Sequence, residues 1–220
     1  MGFLLWFLSL AAVLFILFFP VTREGFKELT TAYPFIMGAV KFALLGSMGD
    51  ILSHRIALGK WKLKNTGLVQ KACVWAFIGV TITAVFPIFT GGTAYLFEHG
   101  YIQQPFSGFY AALLIAFLTS VFMNLTYAPV LMTFHKVTDT VISNGGLFRR
   151  WSLRHVMTNI DWSIMLRIPL FAILWFWIPV QTITFMMPPV YRVVFAALLA
   201  IILGFILGFA SKKSLQTAQS

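Results

Sequence analysis

Residues 175–208 read WFWIPVQTITFMMPPVYRVVFAALLAIILGFILG, and this stretch decides the fold class. After Arg192 the chain is apolar and uncharged as far as Ala210. A run of about 18 or more apolar residues is long enough to cross a bilayer as a helix. Small residues recur in this run at every fourth position, at Ala196, Ala200, Gly204 and Gly208. On a helix they share one face, and we expect another helix to pack closely against that groove.

The part of the stretch before Arg192 is polar and interrupted by proline. Pro179 precedes Gln181, and the Pro188-Pro189 pair follows. Irregular or polar backbone at membrane depth is tolerated only where it is buried in protein or lines a wet cavity. We therefore expect a functional site in this region, with Gln181 and Arg192 as candidates to line a pore or a polar core.

The composition predicts an integral membrane protein. Of 220 residues, 60% are hydrophobic and 10% are charged, whereas a soluble domain is about half apolar and about a quarter charged. The net charge of +10 fits the excess of Lys and Arg in cytoplasm-like loops. No basic stripe is interleaved with exposed aromatic residues, so we expect no nucleic-acid partner.

The sequence lacks the patterns of common catalytic and metal sites. One cysteine, Cys73, excludes an internal disulfide and a CxxC pair. The four histidines are scattered along the sequence. His155 and Asp161 are the one pair that could serve as a general acid and base. There is no Gly-x-Ser-x-Gly turn and no Asp-Asp pair. We expect no catalytic residues, no metal site and no cofactor.

Charge in the connections predicts the topology. Residues 54–71 and 135–167 are strongly basic, whereas 98–105 contain no Lys or Arg. Basic loops favour the cytoplasm-like side, so the pattern fits six crossings, or five if residues 168–187 form a re-entrant segment. We expect an all-α bundle made of an extra N-terminal transmembrane helix at 1–20, a short linker at 20–33, one helical membrane domain at 31–212 and a polar tail at 213–220.

Ionisable and polar residues inside the predicted spans are further candidates for a pore or polar core. Lys41 and Asp50 lie on opposite faces of one helix, so they do not pair within it. Asp50 and His54 are four residues apart and can meet. In the alternative, Asp50 pairs within the bundle and Lys41 extends to the interface. Asn124 and Gln181 are at least as well explained by hydrogen bonds between helices.

Several motifs occur in an order that resembles a known family. They are Pro34 with Gly46 and Gly49-Asp50, the segment Asn124-Leu125-Thr126-Tyr127-Ala128-Pro129, and Trp177-x-Pro179-x-Gln181 followed by Phe185, Pro189 and Arg192. Together they resemble the peroxisomal membrane 22 kDa protein family, which includes the Mpv-seventeen-like proteins. His54, Met123 and Thr184 depart from the family pattern, so the chain is identified as a divergent member. Gly46 and Gly49 are expected to pack against other helices.

The resemblance implies channel-like passage of small solutes or ions across an organellar membrane. It also implies a mitochondrial inner or peroxisomal membrane and a link to metabolic or oxidative stress. The residues themselves leave a second function open, a membrane scaffold or assembly factor that binds partner helices through the groove at 196–208. The expected partners are the lipid bilayer and small solutes or ions, and a homo-oligomer is left open.

Overall fold

The computed structural model describes residues 2–61, 66–162 and 171–217. Across these ranges the chain is helical and no strand is present, which confirms the predicted all-α class. The elements are α1 (Gly2–Phe18), α2 (Pro20–Ala32), α3 (Pro34–Leu58), α4 (Leu68–Glu98), α5 (Gly108–Ser143), α6 (Leu153–Thr158), a π-helical stretch (Ile173–Trp177), α7 (Ile178–Met186) and α8 (Pro189–Thr217).

Four of the described helices are long and apolar enough to cross a membrane: α3, α4, α5 and the part of α8 over Pro189–Phe209. The pair α1 and α2 passes the same test but bends by 84°, so it gives a fifth crossing if the pair forms one broken span. The helical segment Ile173–Met186 is shorter. Residues 168–170 of the predicted span 168–187 lie outside the described ranges, and its crossing stays a prediction.

Helix α2 replaces the linker that was predicted for residues 20–33. Pro20 occupies its first turn, where a missing N–H costs nothing. Lys27 Nζ lies 2.8 Å from Glu24 Oε1, one turn away on the exposed face. Phe26 is buried on the opposite face. The linker prediction is wrong because the charges that indicated a solvated connection form one face of an amphipathic helix.

Helix α3 lies at the centre of the bundle, between α4 and α8. A Cβ atom built at Gly38 would collide with Thr83 and the Gly79 carbonyl of α4. A Cβ atom at Gly49 would collide with the Ala200 carbonyl of α8. Glycine at these positions lets the backbones approach closely, as in other membrane helix pairs.

The order of contacts defines the directions of the helices. Gly204 lies against Gly49, and Gly208 lies against Ser53 and Ile56, so α3 and α8 run parallel. We call the end of the bundle that holds the 59–67 connection the basic end. The opposite end holds the 99–107 connection, α2, and the turn at Met187 between α7 and α8.

Helix α1 begins at the basic end. Trp6 Nε1 donates a hydrogen bond to the Met48 carbonyl at 3.1 Å, and the rings of Phe3 and Trp61 meet edge to face at 5.0 Å. The helix therefore follows α3 toward the opposite end, where the bend to α2 turns the chain across the bundle. This path places α2 over the first turns of α3 and α8, with the Phe26 ring stacked 6.4 Å from that of Tyr191.

Candidate functional site

A cavity of about 640 Å³ lies at the opposite end, between α2, α3, α4 and α8. Prolines from three of these helices, Pro34, Pro87 and Pro189, line it. Gly91 also faces it, and a Cβ atom built there meets nothing within 4 Å. The missing side chain of Gly91 and the helix starts at Pro34 and Pro189 leave this space unfilled.

Lys41 brings a cation into the cavity from α3. It lies seven residues after Pro34, about 10 Å from the start of the helix at 1.5 Å per residue. The side chain is only 6% exposed. Its Nζ donates to Thr30 Oγ1 of α2 at 2.8 Å and lies 4.4 Å from the centre of the Phe26 ring. Helix α2 thus covers the ammonium group and holds it in place.

Arg192 brings a second cation, from the first turn of α8. Its Nε donates to the Met187 carbonyl and its Nη2 to the Phe185 carbonyl, both at 2.9 Å. Its Nη1 lies 3.4 Å from Thr90 Oγ1 of α4. A cation is favourable at the carbonyl end of a helix such as α7. The guanidinium therefore fixes the turn between α7 and α8 and ties it to α4.

Among the described residues, the lining of the cavity combines these two cations with hydroxyl groups and contains no acid. Thr30, Thr83 and Thr90 belong to its lining, together with Lys41 and Arg192. Over the described ranges, neither cation has a carboxylate within 4 Å. The arrangement can hold a negatively charged group, because the ammonium of Lys41 and the guanidinium of Arg192 bring positive charge and N–H donors to one space. The hydroxyls of Thr83 and Thr90 donate within α4, to the carbonyls of Gly79 and Phe86.

Asn124 and Gln181 lie elsewhere, at the contact between α5 and α7. Asn124 Nδ2 donates to the Ser120 carbonyl at 2.9 Å, and Ser120 Oγ donates to the Ile178 carbonyl at 2.8 Å. Both Asn124 and Gln181 are buried, and Gln181 Oε1 has no hydrogen-bond partner among the residues that the structure describes. The two residues are not brought into the cavity.

A π-helix precedes this polar contact, over Ile173–Trp177. It ends two residues before Pro179, which has no N–H for the carbonyl of Trp175 and whose ring crowds it. A wider turn relieves that crowding, and π-helical turns are frequent at functional sites. The proline of the sequence motif thus explains the irregular backbone, and Ser120 stabilises the carbonyl next to it.

Asp50 lies on the part of α3 that is nearer the basic end, within a network that joins three helices. Trp75 Nε1 donates to Asp50 Oδ2 at 3.1 Å. Lys71 Nζ lies 3.6 Å from Asp50 Oδ2 and 3.5 Å from Asp139 Oδ1. His135 Nδ1 lies 3.3 Å from Asp139 Oδ2, and its ring packs on Trp75.

His54 follows Asp50 by one turn of α3 and is half-buried. Its predicted contact with Asp50 stays a prediction. The network places Asp50 away from Lys41 and Arg192, so the three charged candidates do not share one site. Asp50 is instead part of the chain of charges that fastens α3, α4 and α5 together near the basic end.

The small residues lie between helices of this chain. Gly46 faces the Trp75 ring, and Gly49 faces Ala200 and Gly204. Gly208 lies against Ser53, and Ala196 is buried. The groove at 196–208 is filled by α3 of the same molecule.

Several residues of these sites were missed by sequence reasoning, among them Thr30, Thr90 and Lys71. Thr30 was assigned to a linker, Thr90 has no motif around it, and Lys71 was counted as one charge of a basic loop. A signal existed for Lys71, because it lies four residues before Trp75 and therefore on the same face of α4. In the part of the chain that the structure describes, no group of three His, Cys, Asp or Glu residues is placed to hold a metal ion.

No protein-family model, no curated protein and no solved structure matches this chain. The resemblance to the peroxisomal membrane 22 kDa protein family therefore stays a prediction from the sequence motifs.

Proposed function

We propose that this chain is a channel-like membrane protein that lets small solutes or ions pass, and that the cavity at the opposite end is the entrance to its path. The observation that carries the proposal is the pair of cations, Lys41 and Arg192, facing one cavity inside an apolar bundle. Ionisable residues within membrane spans are costly and commonly mark a pathway for a solute or ion.

Passage requires the packing beyond the cavity to open. Toward the basic end, Phe42, Leu45 and Ile78 are nearly inaccessible and fill the space between α3 and its neighbours. The proposal therefore includes a closed arrangement, in which the solute reaches the cavity from the opposite end. A movement of α3 against α4 or α8 would then connect it to the basic end.

An obstruction placed in the cavity tests this path. Gly91 lines the cavity and has open space at its Cβ position, so we expect the side chain of Gly91→Trp to occupy the cavity. The matched control is Gly92→Trp, because Gly92 is exposed, has equally open space and does not line the cavity. The purified full chain is placed in planar bilayers and in liposomes, and current and solute efflux are recorded.

We expect the original chain to give discrete current steps, Gly91→Trp to lose most of them, and Gly92→Trp to keep them. Equal currents in both variants would place the path elsewhere. Silence of the original chain, with the protein shown to be folded and inserted, would overturn the proposed function.

The organellar membrane is proposed on the resemblance of the motifs. The expected location is the mitochondrial inner membrane or the peroxisomal membrane, with a role in metabolic or oxidative stress. Fractionation of cells that express the full chain tests the location, and enrichment in any other membrane contradicts it.

A further inference from the structure

We propose that the cavity binds a small organic oxyanion, whose carboxylate or phosphate groups contact Lys41 and Arg192. This inference deepens the proposed function, on which it rests, by naming the class of solute that enters the path. It is carried by the charge, the hydrogen-bond donors and the size of the cavity.

The charge of the cavity is uncompensated. Lys41 is almost fully buried and Arg192 is half-buried, and neither forms an ion pair within the described ranges. Removing an ion from water costs several kcal/mol or more unless a partner of opposite charge is close. The two exposed acids of α2 do not serve as that partner among the described residues, because Glu24 pairs with Arg23 and Lys27 and no ion pair joins Glu28 to Lys41 or Arg192. An anion in the cavity supplies the missing charge.

The donors of both cations are only partly used by the described residues. Lys41 gives one of its three N–H donors to Thr30. Arg192 gives three of its five donors to Met187, Phe185 and Thr90. The remaining donors suit the oxygen atoms of a carboxylate or phosphate group, which bind guanidinium through paired hydrogen bonds.

The size and the walls of the cavity favour an organic molecule over a bare ion. Its volume of about 640 Å³ falls within the range of about 300–1,000 Å³ that is usual for small-molecule sites. Phe86 and Val193 give it apolar walls beside the charged and hydroxyl groups. A ligand with an anionic group and a short carbon body matches both kinds of wall.

The oxyanion has two sources, a free solute or the headgroup of a phospholipid. The test therefore uses the purified full chain in a neutral detergent with four probes: succinate, its uncharged diamide succinamide, inorganic phosphate, and a short-chain phosphatidylglycerol. Binding is followed as the rise in thermal midpoint at equal ionic strength and as a dissociation constant. Each variant is compared with its own ligand-free midpoint, so a change in its stability does not imitate a loss of binding.

The charge variants have matched controls. Lys41→Met removes the ammonium and keeps the packing of the stem, and Lys136→Met makes the same change at an exposed site. Arg192→Gln is matched by Arg150→Gln, which is also exposed. Because Arg192 fixes the turn before α8, Thr90→Val provides a milder variant that removes one hydroxyl from the cavity.

We expect succinate to bind more tightly than inorganic phosphate and succinamide not to bind. Lys41→Met and Arg192→Gln are expected to weaken binding by about tenfold or more, because each removes a charge-assisted contact. Both controls should bind like the original chain. Preference for phosphatidylglycerol over both soluble probes would support the oxyanion site and assign it to a lipid headgroup.

The two proposals fail in distinguishable ways. Binding without any current or efflux supports the oxyanion site and overturns passage. Current that prefers cations, or binding that is unchanged in Lys41→Met and Arg192→Gln, overturns the oxyanion site and leaves passage standing. The absence of both binding and current overturns both.

Discussion

Gly204 of α8 lies directly against the backbone of Gly49 in α3, with no side chain between them. A Cβ atom on Gly204 would overlap the carbonyl group of Gly49, and a Cβ atom on Gly49 would overlap the carbonyl of Ala200. These neighbours are main-chain atoms, which cannot rotate out of the way. A side chain at either glycine therefore has to separate the two helices.

We expect Gly204→Leu to destabilise the folded monomer by about 1–3 kcal/mol or more, the usual cost of overpacking. The measurement is the midpoint of unfolding in detergent, with crosslinking to report the oligomeric state. Gly92→Leu is the control, because a Cβ atom there meets nothing within 4 Å. If Gly204→Leu stays as stable as the control and only turns an oligomer into a monomer, the groove is an interface between copies and the scaffold function gains support.

A second effect on stability is expected from a substitution of Lys71, because its ammonium lies between two carboxylates. Lys71→Met leaves Asp50 and Asp139 facing each other without the cation that now bridges them. We expect a loss of about 1–3 kcal/mol, below the cost of breaking a fully buried pair because these side chains keep some contact with solvent. Glu24→Gln serves as the control, since it breaks exposed ion pairs with Arg23 and Lys27, which solvent screens and which contribute little to stability.

A double-mutant cycle of Lys71→Met with Asp50→Asn measures the coupling directly. We expect a non-additive result for this pair. Additive losses would show that the ion pair does not join α3 to α4. In bilayers, Asp50→Asn is expected to leave ion selectivity unchanged, since Asp50 lies in the network near the basic end and not in the cavity.

A third effect on stability is expected from a substitution of Ser120, at the contact of α5 with α7. Ser120→Ala removes the hydroxyl that donates to the Ile178 carbonyl beside Pro179. The same hydroxyl accepts a hydrogen bond from Asn124 Nδ2 at 3.2 Å. We expect a loss of about 1–2 kcal/mol in the free energy of unfolding, because the typical net value of each hydrogen bond is about 1 kcal/mol. Ser9→Ala is the matched control, because the Ser9 hydroxyl bonds only within its own exposed helix turn among the described residues. Equal midpoints for the two variants would contradict a stabilising role for Ser120.

Labelling of single cysteines tests the topology, in a Cys73→Ser background. Lys60→Cys lies at the basic end, whereas Gln104→Cys and Glu28→Cys lie at the opposite end, and all three positions are exposed. We expect a membrane-impermeant reagent to reach Gln104→Cys and Glu28→Cys from one side and Lys60→Cys from the other. Glu28→Cys labelled together with Lys60→Cys would mean that α1 does not cross the membrane.

Hydropathy was sufficient to predict the helical membrane class, because long apolar runs have few other stable structures. It was not sufficient for α2, whose charges at one-turn spacing occur both in loops and on exposed helix faces. The small residues of α8 indicated a close contact, but their spacing carries no information about the partner. That α3 is the partner, and that it runs parallel to α8, depends on the path of the whole chain.

The sequence predicted individual residues of the candidate site, but it did not predict that these residues lie together. Lys41 was named from the cost of charge in a membrane span, and Arg192 from its place beside a proline-interrupted segment. Nothing local indicated that they face one cavity. Their partners come from distant segments, as with Thr90, which is 102 residues from Arg192. Asp50 was grouped with them because a charge inside a span looks the same whether it faces a cavity or an ion pair.

The close contact of α3 with α8 can form only after α8 has been synthesised, much later than α3. The Gly49 face of α3 is made early, and the helix that covers it is the last of the described helices to be synthesised. At about 5–20 residues per second, the time between the synthesis of Gly49 and that of Gly204 is on the order of ten seconds. During that interval α3 is held by its contacts with α4, such as those of Gly38 with Gly79 and of Gly46 with Trp75. We therefore expect a chain that has not yet formed α8 to expose the Gly49 face of α3 to lipid.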